Sequence, residues 1–121
     1  MVFSYVLFPH TNNGIKFDSK LEEFFVGVVL APFIETFLFQ HIVIITLQKL
    51  KINLNLIVLI CGAIFGLMHM YSVGYVLGAF ITGVLYSLLY LIMQKKQCNP
   101  IVIVAICHSA FNLIAFIVNG F

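Results

Sequence analysis

The chain has 121 residues, of which 63% are hydrophobic and 8% charged, with a mean hydropathy of +1.15 and a net charge of +2. This composition excludes an ordinary soluble domain, and six dispersed lysines with no arginine exclude a nucleic-acid surface. It predicts an all-α, multi-pass protein of the cell membrane, in contact with lipid throughout.

Residues 1–21 read as an N-terminal interfacial segment, because Met1 to Pro9 has neither a basic start nor a small-residue cleavage site. Residues 22–121 follow as one four-helix core. Apolar segments at 22–48, 53–70, 73–93 and 100–118 are each about long enough to cross a ~30 Å hydrocarbon layer. Short polar breaks join them, so neighbouring helices are antiparallel. Ser19-Lys20-Leu21-Glu22 is a capping box that starts the first helix early, and Pro32 predicts a kink within it. Lys49 and Lys51 follow the first segment and Lys95 and Lys96 the third, which puts all four on one side. That side is expected to be cytoplasmic and both termini external. Gly62 and Gly66, Gly74 and Gly78, Gly83 and Ser87, and Ala105 and Ser109 recur at helical spacing and predict close helix packing, with a homodimer face as the lesser use. Cys61, Cys98 and Cys107 do not suggest a disulfide framework. The lack of arginine beside abundant Ile, Phe, Asn and Lys has the look of an AT-rich bacterial genome.

Glu35 is the one acidic residue inside an apolar stretch. Placing a charge at membrane depth costs roughly 2.5–3.5 kcal/mol, so it calls for partners. Phe65 and His69 lie four apart in the second segment, and His108 and Asn112 four apart in the last, so each pair shares a helix face. Glu35, His69, His108 and Asn112 could therefore converge inside the bundle. This set suits amide hydrolysis: a glutamate to take a proton from water, histidines to orient the water or protonate the leaving amine, and a carboxamide for the oxyanion. Glu35, His69 and His108 could equally bind a divalent metal such as zinc, and the residues leave that choice open. A third use, haem ligation by His69 and His108, gives Glu35 and Asn112 no work. Glu22 and Glu23 fit a helix start, His10 and His41 fit loop or interfacial positions, and Tyr71, Tyr75, Tyr86 and Tyr90 read as a group containing interfacial anchors.

Taken together, Phe65 to His69, His108 to Asn112 and Glu35 after an Ala-Pro step resemble the CPBP family of intramembrane proteases. That family includes CAAX prenyl endopeptidases and proteins linked to bacteriocin processing and immunity, and carries the motifs E-E-x-x-x-R, F-x-x-x-H and H-x-x-x-N. The resemblance implies an endopeptidase acting on a membrane-associated peptide, a prenylated tail or a leader, with Glu35 activating water, His69 and His108 assisting or holding a metal, and Asn112 steadying the oxyanion. A non-catalytic immunity or scaffold protein of the same fold is the alternative. The first motif departs from the pattern at Thr36 and Gln40, where a glutamate and an arginine would stand. Losing both partners of an ion pair leaves neutral side chains that are expected to hydrogen-bond instead.

Overall fold

The computed structural model describes residues 18–70 and 72–120. Most of the expected interfacial segment, with His10, and Tyr71 lie outside the described residues. Four helices run in chain order: α1 (Lys20–Lys49), α2 (Leu54–Leu67), α3 (Val73–Lys95) and α4 (Pro100–Gly120). α2 and α4 each pack on both α1 and α3, and α1 meets α3 across the bundle. Large apolar side chains such as Phe33, Phe37, Leu77, Ile81, Leu85 and Ile106 point outward, while Thr36, Gln40, His69, Ser87, His108 and Asn112 are buried. Polar groups inside and hydrocarbon outside is the arrangement that lipid requires. α1, α3 and α4 are long and apolar enough to span a membrane.

α1 starts as the capping box predicts, with the Ser19 hydroxyl accepting from the Glu22 amide at 3.1 Å. Around Pro32, where the sequence predicts a kink, its hydrogen-bond register changes. Wide π-helical turns occupy Phe25–Leu30 and Thr36–Ile42, on either side of an α-helical turn at Ala31–Glu35. The buried residues Val28, Pro32, Thr36, Gln40 and Ile44 recur at every fourth position. In a pure α-helix such a row drifts by ~40° per step. Turns closed by i→i+5 bonds hold more residues and cancel that drift, so one row faces the bundle along the whole helix.

α2 is shorter than predicted. Its 14 residues rise about 21 Å and fall short of a bilayer core. The reason lies in His69. Its ring Nδ1 is 2.7 Å from the Phe65 carbonyl, the acceptor that its own amide would use in a continuing α-helix, and the amide turns to Gly66 O at 3.0 Å instead. The helix ends at Leu67, and Ser72 caps α3 by accepting from the Tyr75 amide at 3.1 Å.

The two lysine-bearing turns are built alike. Ile52 N–H reaches Leu47 O and Lys51 N–H reaches Gln48 O; Cys98 N–H reaches Met93 O and Gln97 N–H reaches Gln94 O. Both are Schellman closures, with Lys51 and Gln97 in the left-handed region at φ 58°. The Gln48 and Gln94 side chains exchange two hydrogen bonds, at 2.8 and 3.0 Å, which places the two turns at one end of the bundle.

The small residues divide into two classes. A Cβ on Gly83 would lie 2.7 Å from Phe65 Cβ and 3.1 Å from Gly62 Cα, and one on Gly62 would lie 2.6 Å from Val84 Cγ2. These glycines let α2 and α3 touch backbone to backbone. Gly74 and Gly78, predicted to pack in the same way, have nothing within 4 Å of a built Cβ.

Candidate active site

α1 brings Glu35, the end of α2 brings Phe65 and His69, α3 brings Tyr86, and α4 brings His108 and Asn112. Phe65 organises the centre. Its ring lies 4.6 Å from the His69 ring, 5.7 Å from the His108 ring and 6.0 Å from the Tyr86 ring, and its carbonyl takes the His69 Nδ1–H. A carbonyl only accepts, so the proton of a neutral His69 sits on Nδ1 and Nε2 carries the lone pair. The spacing of Phe65 and His69 is thus explained by one residue anchoring the other through both backbone and ring.

His108 Nε2 lies 3.5 Å from Glu35 Oε2, and the two side chains are 5% and 17% exposed, so this carboxylate–imidazole pair is withdrawn from the lipid face. The contact is longer than a strong hydrogen bond, as is common for catalytic pairs before substrate arrives. His69, His108, Tyr86, Asn112, Tyr75 and Thr82 line a cavity of about 220 Å³ between the end of α2, α3 and α4. Helix ends read from the sequence would set His69 and His108 roughly 10 Å apart in depth. The cavity nevertheless takes both, because His69 leaves the helix and leans in from the turn.

Asn112 has a second connection. Its Nδ2 donates to Gly27 O at 2.9 Å. Ala31 N–H bonds Val26 O, five residues back, and in that register the bond to Gly27 O would come from residue 32. Residue 32 is proline, which has no N–H. Asn112 supplies the missing donor across 85 residues of sequence, ties α4 to α1, and keeps its second N–H for other use.

Thr36 and Gln40, expected to hydrogen-bond in place of an ion pair, do not. Both are fully buried, and Thr36 Oγ1 and Gln40 Nε2 and Oε1 have no hydrogen-bond partner among the described residues. The same holds for Glu35 Oε2, Tyr86 OH, His108 Nδ1 and Ser109 Oγ. His41, half-buried, hydrogen-bonds Tyr90 OH through Nδ1, joining α1 to α3. Tyr86 and Tyr90 are 8% and 1% exposed and so are not interfacial anchors. Their positions held the clue: Tyr86 falls in the middle of α3, whereas anchors belong at helix ends. Among the described residues, no three His, Cys, Asp or Glu side chains are grouped so as to hold a metal ion.

Residues 18–114 match the family model described as type II CAAX prenyl endopeptidase Rce1-like. The chain belongs to this family. No curated protein and no solved structure matches it. The match runs from the start of α1 into the last turns of α4, so it contains Glu35, His69, His108 and Asn112.

Proposed function

We propose that the protein is an intramembrane endopeptidase that hydrolyses a peptide bond near the membrane surface, in a prenylated tail or a leader-type peptide. The observation that carries this reading is the Glu35–His108 pair at 3.5 Å beside a cavity that His69 and His108 both line, in a chain of the CAAX endopeptidase family. Glu35 takes a proton from a water molecule as the water oxygen bonds to the peptide carbonyl carbon, and the C=O π pair moves onto oxygen. His108 holds the carboxylate in place, and the lone pair on His69 Nε2 orients the water. When the oxyanion collapses, the C–N bond breaks and the proton held by Glu35 passes to the leaving nitrogen. The lysine-bearing end faces the cytoplasm in this reading, in line with the positive-inside bias.

The test is Glu35→Gln in purified, reconstituted protein, assayed on a fluorescence-quenched peptide with a farnesylated cysteine near its C-terminus and on an unprenylated version. The amide cannot take the proton, so kcat should fall by roughly 10²–10⁴-fold while the fold is kept. Full biological activity in that variant would point instead to a scaffold in which the polar cluster serves packing.

A further inference from the structure

Tyr86 and Tyr90 are one helical step apart on α3, and both are buried. The fold treats their hydroxyls differently. Tyr90 OH is paired with His41 Nδ1, whereas Tyr86 OH has no partner among the described residues and belongs to a residue lining the cavity. Buried tyrosines normally find a hydrogen-bond partner, so an orphaned hydroxyl at a cavity wall marks a place where a partner arrives from outside the protein. The Tyr86 ring lies 4.9 Å from the His108 ring and 6.0 Å from the Phe65 ring, edge to face on the latter, so the phenol is held between the two groups that shape the site. The carboxamide of Asn112, on the same cavity wall, already commits one N–H to Gly27 O.

We propose that Tyr86 is a catalytic residue of this site: its hydroxyl donates a hydrogen bond to the carbonyl oxygen under attack and stabilises the negative charge that forms there. This rests on the endopeptidase reading above and adds to it a group for the oxyanion. No proton is transferred in this role. The O–H bond of Tyr86 stays intact while the oxyanion forms and collapses, and the proton taken from water still travels by way of Glu35 to the leaving nitrogen. An oxyanion donor acts where charge develops, so it works on kcat more than on ground-state binding. The phenol is fixed by two ring contacts beside the cavity, and its hydroxyl, covered in the free protein, meets the carbonyl oxygen as the substrate seats.

The experiment compares Tyr86→Phe with Tyr90→Phe and Glu35→Gln in the reconstituted full chain, on the same farnesylated and unprenylated quenched peptides. Tyr86→Phe removes only the orphaned hydroxyl, so its unfolding midpoint should equal or exceed wild type while kcat drops by roughly 10²–10³-fold with KM little changed. Tyr90→Phe should show the reverse, a lowered midpoint from the lost His41 bond with kcat retained. A kcat within about 3-fold of wild type for Tyr86→Phe overturns the proposal, as does a loss confined to KM or one that tracks a lowered midpoint. Cleavage lost in Glu35→Gln but kept in Tyr86→Phe sinks the role of Tyr86 alone. A wild-type protein that cleaves none of the probes sinks the endopeptidase reading and the role of Tyr86 together.

Discussion

The contact of α2 with α3 and the contact of α1 with α4 solve opposite problems in one small bundle. Between α2 and α3, Gly62, Gly66 and Gly83 remove side chains so that backbones meet, and an added methyl at Gly83 has nowhere to go. Between α1 and α4 an apolar cluster of Val28, Phe24 and Phe116 packs beside two polar joints, Asn112 to Gly27 O and His108 to Glu35. Unpartnered atoms of Glu35, Thr36, Gln40, His108 and Ser109 lie on these two helices. Lipid offers no hydrophobic force to press helices together, so glycine-mediated close approach holds one pair, while side-chain packing and the Asn112–Gly27 hydrogen bond hold the other. The α2–α3 side brings Phe65, His69 and Tyr86 to the cavity, and the α1–α4 side brings His108 and Asn112 to it, with Glu35 beside His108.

Breaking the α2–α3 contact should have the largest effect on stability. Gly83→Ala drives a Cβ into Phe65 and Gly62, and should lower the unfolding free energy in detergent by about 1–3 kcal/mol. Asn112→Ala should cost a similar or slightly smaller amount, about 1–3 kcal/mol, because Gly27 O is left unpaired. This loss has a signature that simple cavity formation lacks. Pro32→Ala restores an N–H opposite Gly27 O, so the double variant should be less destabilised than the sum of the singles, with a coupling of about 0.5–3 kcal/mol. Strict additivity would show that Pro32 and Asn112 are unrelated. Gln40→Met removes two unpaired buried atoms at nearly constant volume, and should raise stability by about 1 kcal/mol. Gly78→Ala sharpens the contrast from the other side, since its methyl meets open space. Its stability should be unchanged or raised by up to about 1 kcal/mol, where the same change at Gly83 is damaging.

The particular residues show what a sequence can carry. The helix start at Ser19 and the antiparallel order of helices were legible because capping and short polar turns are local. Glu35, His69, His108 and Asn112 were legible as a group because polar side chains inside apolar runs are costly and few. The length of α2 was not legible, because it turns on the ring of His69 taking a backbone carbonyl from its own amide. The wide turns of α1 were hidden behind Pro32, whose obvious consequence is a kink. Tyr86 was overlooked because a tyrosine in a membrane helix has a ready place at the interface, and only its neighbours reveal that it lines the cavity.

The sequence by itself determined that this chain lives in a membrane as antiparallel helices with one carboxylate inside an apolar stretch and two motif histidines, since burial cost and helical period act residue by residue. Tertiary structure decided which polar atoms find each other. Asn112 completes the hydrogen bond that Pro32 cannot make, Tyr90 is paired and Tyr86 is not, and Gly83 is closed while Gly78 is open. Such outcomes depend on where two distant segments come to rest against each other, and neither segment encodes that distance alone.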